Sequence, residues 1–166
     1  MKELGFDEKR ISVIAENEEK YISFSKTIGK IQLRFLDSFR FMGSSLESLT
    51  SNLTKDDFKC MNSFFPLHKV DLLLRKGIFP YDYMDDVRKF EETSLPDKES
   101  FYSILNETDI THDDYLHALR IWREFDIKNL GEYTELYVKT DVLLLADVLQ
   151  AFRKKRFEIY GLDMAW

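Results

Sequence analysis

The sequence predicts an α+β fold in which a small antiparallel sheet is followed by several helices. Strands are expected over residues of about 10–37, where apolar and polar residues alternate with a period of two. From about residue 44 to 161, apolar residues instead recur at three- and four-residue spacing, which is typical of helices packed on a core. Because the chain has 166 residues, residues 1–166 are predicted to form a single domain.

The strand region contains three apolar runs, at residues 11–14, 21–28 and 31–36. Period-two alternation collects apolar side chains on one face of each of the last two runs, namely Ile22, Phe24 and Ile28, and Ile31, Leu33 and Phe35. Only Gly29 and Lys30 separate these runs, and a two-residue loop with glycine first favours a type II′ hairpin turn. An antiparallel meander is therefore predicted, with residues 15–20 as its first turn.

Two short helices are predicted next, over residues 44–53 and 67–76. Ser44 and Glu47 have the spacing of a capping box, in which each side chain binds the backbone N–H of the other residue. Pro66 is expected at the first helical position of the second helix, and Gly77 is expected to end it.

The middle of the chain alternates between loops and helices. Residues 78–86 follow a glycine and contain Pro80, so they are interpreted as a loop. Residues 95–102 are predicted as a short helix. Thr111, with Asp114 three residues later, is expected to begin the next helix. The apolar side chains of that helix recur at helical spacing and should face a core: Tyr115, Ala118, Leu119, Trp122 and Phe125.

A long helix is predicted from about Leu130 to Tyr160. Asn129 is suited to cap its start, and Gly161 is placed to end it. Its last turns carry four basic residues, 153–156. These cations suit the negative end of the helix dipole, so a structural role is at least as consistent with them as phosphate binding.

One stretch of this helix carries candidate chemistry. Tyr137 and Asp141 are four residues apart, so a helix stacks their side chains on one face. A carboxylate there can hold a divalent cation, and the phenol can orient a water or a phosphate oxygen. The spacing alone is weak evidence, because 8 Tyr and 16 Asp among 166 residues give about one such pair by chance. A second pair, Tyr81 and Asp85, falls in the predicted loop and is interpreted as surface residues.

Other carboxylates do not complete a metal site in the sequence. Asp141 itself has the alternative of simply facing water, and Asp147, six residues later, points to another side of the helix. A two-metal site needs several converging carboxylates, yet no Asp-x-Glu occurs on a predicted strand. Asp37, at the end of the hairpin, is the nearest candidate.

Composition and motifs exclude several function classes. The net charge of −6 argues against tight nonspecific binding to duplex nucleic acid, although not against a local site. The sequence has no Gly-rich phosphate loop, no zinc-ligand spacing and a single cysteine, Cys60. It also has no secretory signal and no apolar run of the ~20 residues that a membrane span requires. We therefore expect an intracellular, soluble protein, with the nucleus as one compatible compartment.

Four blocks of the sequence resemble the protein-primed B-family DNA polymerases, especially those of Polinton/Maverick-type transposons and related viruses. The blocks are residues 34–42 (RFLDSFRFM), 76–81 (KGIFPY), 95–102 (LPDKESFY) and 136–148 (LYVKTDVLLLADV). The resemblance extends over about residues 10–166, and the last block is the most specific. It implies that the chain is the later part of an RNase H-like 3′–5′ proofreading exonuclease domain.

The resemblance implies roles for particular residues. Tyr137 and Asp141 match the Tyr-x-x-x-Asp motif of the exonuclease, with Asp141 as a ligand of Mg²⁺ or Mn²⁺ and Tyr137 orienting the attacking water or the scissile phosphate. The ion is expected of the intact parent, and the chain alone is not expected to bind it well. Ser38 and Phe39 fall where the family has a Ser/Thr-Leu motif that contacts the single-stranded primer end. The segment 45–49 (SLESL) fits the letters of that motif better but lies past the expected strand end.

Lys98, with Phe101, resembles the Lys-x-x-hydrophobic motif of the family, in which the lysine helps to place the phosphate. The alternative for Lys98 is an exposed helix lysine. Two further exonuclease motifs, an Asp-x-Glu and an Asn-x-x-(Phe/Tyr)-Asp, should precede the hairpin and are not found there. Met164 also stands where a proline is expected.

The sequence is therefore interpreted as a fragment of a DNA-directed DNA polymerase that is inactive by itself. The polymerase palm and the insertion that binds a terminal protein would belong to the parent. The alternative is a noncatalytic structural or interaction module derived from a transposon. A fragment that lacks part of its sheet should expose strand edges and be poorly soluble.

Overall fold

The computed structural model describes residues 11–15, 21–75 and 77–163. By their internal contacts the residues form two compact units, Met1–Ser44 and Ser45–Trp166. This boundary lies at the predicted change from strands to helices. The α+β class is confirmed, since the first unit contains a three-stranded sheet and the second is helical.

The sheet is the predicted antiparallel meander. Its strands are β1 (Ser12–Ala15), β2 (Tyr21–Ile28) and β3 (Ile31–Leu36), in the order β1-β2-β3. Gly29 has a φ of 61°, as the first central position of a type II′ turn requires, and glycine adopts this value without steric cost. Of the predicted first turn, Ala15 belongs to β1, and residues 16–20 lie outside the described residues.

The predicted grouping of apolar side chains is consistent with the register of the hairpin. Phe24 pairs with Phe35, and Ile28 pairs with Ile31. The two phenylalanine rings stack with centroids 4.5 Å apart. Every residue of β3 is exposed, with Ile31 at 66%. A short helix, α1 (Phe39–Met42), follows in the same unit.

The first helices of the second unit differ in detail from the prediction. They are α2 (Leu46–Thr50), a 3-10 helix at Lys55–Asp57, α3 (Lys59–Phe64) and α4 (Leu67–Leu73). The predicted Ser44 cap is wrong by one residue: Ser45 is the N-cap, and its hydroxyl accepts a hydrogen bond from the Ser48 N–H at 3.2 Å. The helix therefore has no Ser44–Glu47 capping box and ends three residues earlier than predicted.

Pro66 and Gly77 also have other positions than predicted. Pro66 is the N-cap of α4, one residue before the first helical position. The helix ends at Leu73, so Gly77 does not terminate it. Lys76 lies outside the described residues. Helix α3 had no counterpart in the prediction.

The segment between α4 and the next long helix consists mainly of loops. Residues 78–86 form turns, as predicted. Two 3-10 helices follow, at Val87–Glu91 and Lys98–Phe101. The second lies in the predicted 95–102 helix but forms only a short 3-10 turn.

The two longest helices agree with the prediction. Helix α5 (His112–Glu124) begins with a capping box between Thr111 and Asp114. Helix α6 (Leu130–Tyr160) begins at Asn129, whose side chain accepts a hydrogen bond from the Glu132 N–H. It ends at Gly161, which has a left-handed backbone.

The core of the second unit forms around α6, which packs against α2, α3 and the 3-10 helices Lys55–Asp57 and Val87–Glu91. Its buried residues are Phe58, Met61, Val70, Leu73, Leu95, Phe101, Ala118, Ile121, Ile127, Leu130, Tyr133 and Leu144. The four other predicted core residues of the α5 segment, Tyr115, Leu119, Trp122 and Phe125, are partly buried against this core. Among the described residues, no helix combines the length and apolar character that crossing a membrane requires.

Candidate functional site

Helix α6 places Tyr137 and Asp141 one turn apart on the same face, and both side chains are partly buried. Burial raises the pKa of the Tyr137 phenol above its usual range, and its hydrogen bond with Tyr81 and the nearby charge of Asp141 raise it further. Burial also raises the pKa of the Asp141 carboxyl, while a hydrogen bond from Tyr137 partly opposes that shift. Tyr137 therefore stays a neutral phenol at neutral pH, beside a carboxylate that is incompletely solvated.

Gly77 allows the Tyr137 ring to occupy this position. A Cβ atom on residue 77 would lie 2.6 Å from Cε2 and 2.8 Å from Cδ2 of the Tyr137 ring. Contacts this short are repulsive, so any larger residue would displace the ring. Gly77 was predicted to end a helix. Glycine is instead required at this position because the Tyr137 ring, far along the chain, packs against it.

Tyr81 reaches Tyr137 from the loop after α4. The two phenol oxygens are 2.6 Å apart, which is a hydrogen bond. The Phe79 ring contacts Tyr81 and Tyr137, with centroids 5.1 and 4.9 Å away. Tyr81 is 67% exposed, so it joins the site from the solvent side. The loop and its exposure were predicted, but this contact was not.

A cavity opens in front of Tyr137 and Asp141, and we call it the Glu47 cavity. It offers about 150 Å³ to solvent. Its lining consists of Ser45, Leu46, Glu47, Thr50, Leu74, Gly77, Tyr137, Asp141 and Leu144. Two acidic residues, Glu47 and Asp141, thus border one cavity together with Tyr137 and the hydroxyl-bearing residues Ser45 and Thr50.

The two candidate positions for the Ser/Thr-Leu motif fall in different units. Ser45 and Leu46 line the Glu47 cavity. Ser38 and Phe39 belong to the first unit, where the N–H of Phe39 donates to the Asp37 carboxylate at 3.0 Å. The primer-end role of Ser38 and Phe39 therefore stays a prediction, while the alternative segment 45–49 has a geometric link to Asp141.

Lys98 is not part of the lining of the Glu47 cavity. It lies in the 3-10 helix Lys98–Phe101, where Phe101 is buried and packs against Tyr115 with ring centroids 5.8 Å apart. Its role in placing a phosphate stays a prediction.

Asp147 has a structural position. It is fully buried, and its carboxylate accepts hydrogen bonds from the backbone N–H groups of Cys60 at 2.7 Å and Met61 at 3.0 Å. These N–H groups lie in the first turn of α3 (Lys59–Phe64), where backbone N–H groups have no partner within their own helix. Asp147 thus fixes α3 against α6 and, as expected from its position on the helix, is turned away from Asp141.

Metal binding in this site would rest on few ligands. Within residues 11–15, 21–75 and 77–163, no group of three or more His, Cys, Asp or Glu side chains is arranged to hold a metal ion. Asp141 and Glu47 supply oxygen ligands of the kind that Mg²⁺ and Mn²⁺ prefer.

Comparisons with protein-family models, curated proteins and solved structures found no match to this chain.

Proposed function

We propose that this chain contributes one wall of the 3′–5′ exonuclease site of a protein-primed B-family DNA polymerase. In this proposal Asp141 binds a Mg²⁺ or Mn²⁺ ion, and Tyr137 orients the attacking water or the scissile phosphate. The observation that carries the proposal is the Tyr137–Asp141 pair itself, which is partly buried, on one helix face and open to the Glu47 cavity. The Tyr-x-x-x-Asp spacing by itself is expected by chance in a chain of this composition. Partial burial of both side chains beside a cavity does not follow from the spacing and is therefore additional support.

The Glu47 cavity supports a nucleotide end as the ligand. Its volume of about 150 Å³ admits a group of about the size of a benzene ring, which is one part of a nucleotide and not the whole. Ser45 and Leu46 border it and fit the letters of the motif that contacts the single-stranded primer end. In the proposal, one part of the terminal nucleotide enters this cavity and its phosphate meets Asp141 and Tyr137.

The protonation states suit such a role. Burial raises the pKa of Asp141, because its charge is poorly solvated, so a bound cation would be favoured as a replacement for the missing solvation. A divalent cation, when bound, polarises a phosphate oxygen and activates a coordinated water. Tyr137 remains a neutral hydrogen-bond donor, held in place by Tyr81 and Gly77.

The chain alone is proposed to be inactive. The two other exonuclease motifs of the family are not found before the hairpin, and their carboxylates would come from elsewhere in the parent polymerase. The RNase H-like fold of the complete domain, its terminal-protein partner and its role in DNA replication belong to the same proposal. The exposed apolar side chains of β3, Ile31, Leu33, Phe35 and Leu36, are consistent with a sheet that packs against a further part of the parent.

Paramagnetic broadening by Mn²⁺ tests the cation site directly. In amide NMR spectra of the full chain, millimolar Mn²⁺ should first broaden the signals around residues 137–141. Asp141→Asn should remove this local broadening. Asp126→Asn is the matched control, because Asp126 is an exposed aspartate with 84% of its side chain accessible, and asparagine tolerates its positive φ of 53°.

A nuclease assay with single-stranded DNA labelled at its 3′ end completes the test. We expect no Mg²⁺- or Mn²⁺-dependent degradation by the chain alone. Degradation that Asp141→Asn abolishes would overturn the inactivity and retain the nuclease assignment. Broadening that is indifferent to Asp141→Asn, together with no degradation, would instead favour the noncatalytic module.

A further inference from the structure

A second, smaller cavity lies beside the Tyr137–Asp141 pair, and we call it the Thr140 cavity. It is bordered by the end of α4, by Gly77 and Ile78, by α5 and by α6, and its volume open to water is about 30 Å³. Its walls are mainly apolar, with Leu72, Leu73, Ile78, Ile121 and Leu136 among them. Polar groups reach it from Thr140, Asp141, His117 and Arg75.

Thr140 is the unusual residue of this cavity. It is only 6% exposed, and its hydroxyl oxygen is buried without a hydrogen-bond partner in the part of the chain that the structure describes. Burying an unpaired hydroxyl costs free energy, since the water bonds that it loses are not replaced. Such a group in a native fold therefore calls for a partner.

Thr134, six residues earlier on the same helix, shows how a buried threonine hydroxyl is usually paired. Its hydroxyl donates to the Leu130 carbonyl, four residues back, at 2.7 Å. Thr50 in α2 likewise donates to the Glu47 carbonyl, three residues back, at 2.9 Å. Thr140 does not use its own helix in this way, so its hydroxyl remains able to pair with an occupant of the cavity.

The size of the cavity decides which occupant fits. One water requires about 10–15 Å³, and a cavity of about 150 Å³ is known to take a benzene-sized ring. A volume of about 30 Å³ therefore admits one or two waters and is too small for an organic ring. Dry cavities are lined by apolar groups alone, whereas this one contains a hydroxyl, a carboxylate and an imidazole.

We propose that the Thr140 cavity is an internal hydration site, in which one or two ordered waters bind to the Thr140 hydroxyl and to neighbouring polar groups of the lining. The Asp141 carboxylate can accept a hydrogen bond from such a water. His117 borders the same cavity, and its imidazole can donate a hydrogen bond to such a water or accept one from it. The waters thus hydrate Asp141 from the Thr140 cavity, and this holds whether or not the chain belongs to a nuclease.

The paired variants Thr140→Val and Thr134→Val test the proposal. Valine keeps the shape of threonine and removes only the hydroxyl. In crystals of the wild-type chain at high resolution, we expect an ordered water within 3.5 Å of Thr140 Oγ1, the ordinary upper limit for a hydrogen bond. Thr140→Val should lose this water, and Thr134→Val should retain it.

Thermal melting gives a second measurement, in which the direction of the shift in the midpoint of Thr140→Val distinguishes a hydrated from a dry hydroxyl. If a water satisfies Thr140, removal of the hydroxyl leaves that water with fewer partners, and the midpoint should fall by about 2–4 °C. If the hydroxyl is dry and unpaired, valine removes an unfavourable group, and the midpoint should rise. An empty cavity in the wild-type crystal, or a Thr140→Val midpoint equal to or above that of the wild type, would overturn the proposal.

Discussion

The chain contains the Tyr-x-x-x-Asp spacing twice, once in helix α6 and once in the loop after α4, and the two copies differ in what they build. Tyr137 and Asp141 are both partly buried and border one cavity. In the loop copy the aspartate, Asp85, is 70% exposed and forms an ion pair with Lys89 at 2.7 Å. The Tyr81 phenol is hydrogen-bonded to that of Tyr137. The same spacing thus puts two side chains on one face only in a regular helix. The tyrosine of the loop copy instead contributes a hydrogen bond to the tyrosine of the helical copy.

A third aspartate, Asp147, is also buried on α6, but its carboxylate has hydrogen-bond donors, so its substitution should have the largest effect on stability. Its carboxylate is the acceptor for two backbone N–H groups of α3. Asp147→Asn presents an amide N–H₂ to one of those donors, so the free energy of unfolding should fall by about 2–4 kcal/mol, measured by urea denaturation. This is the largest effect that we expect from any single substitution near the site.

Asp141→Asn should raise the free energy of unfolding at neutral pH, whereas Asp147→Asn should lower it. Burial raises the folded-state pKa of Asp141 above its ordinary value, so the ionised group disfavours the folded state. Its protonated form contributes stability that is present at low pH and is lost as the pH rises through the raised pKa. Asp141→Asn should therefore be more stable than wild type at pH 7 and equal to it near pH 3. Loss of stability at pH 7, as for Asp147→Asn, would mean that Asp141 is a structural acceptor.

Gly77→Ala should break the arrangement that distinguishes the helical pair from the loop pair. The added Cβ would overlap the Tyr137 ring, and such overpacking costs about 1–3 kcal/mol of unfolding free energy. In a Tyr137→Ala background the same substitution should cost much less, because the ring is gone. The double-mutant cycle should therefore give a coupling of about 0.5–3 kcal/mol. Equal costs in both backgrounds would show that Gly77 is required for its backbone and not for Tyr137.

Local signals were predictable from the sequence. Thr111 with Asp114, and Asn129 with Gly161, were located correctly because a cap depends on residues within one turn of the helix end. The Gly29 hairpin was predictable for the same reason. The cap of α2 was displaced because two adjacent serines, Ser44 and Ser45, compete for the same role and spacing cannot rank them.

The contacts that build the site depend on residues far apart in sequence. Gly77 has the composition signal of a helix end, and only the position of Tyr137, 60 residues later, reveals its requirement. Tyr81 was correctly assigned to an exposed loop, but a loop has no periodicity from which its partner could be inferred. Helix geometry correctly predicted that Asp147 points away from Asp141. Its hydrogen-bond partners on α3 could not be predicted, because helix α3 was not predicted.

Tyr81→Phe and Asp85→Asn separate the two members of the loop pair and should have the smallest effects. Tyr81→Phe removes one largely exposed hydrogen bond to Tyr137, which should cost about 0.5–1 kcal/mol of unfolding free energy. Asp85→Asn removes an exposed ion pair with Lys89 and should leave stability unchanged within error, because water and salt screen such pairs. The phenol ¹³Cζ signal of Tyr137 should shift in Tyr81→Phe and stay in place in Asp85→Asn. A Tyr137 signal that responds to Asp85→Asn and not to Tyr81→Phe would show that Tyr81 and Asp85 act together, and that helix geometry is not what distinguishes the two copies of the motif.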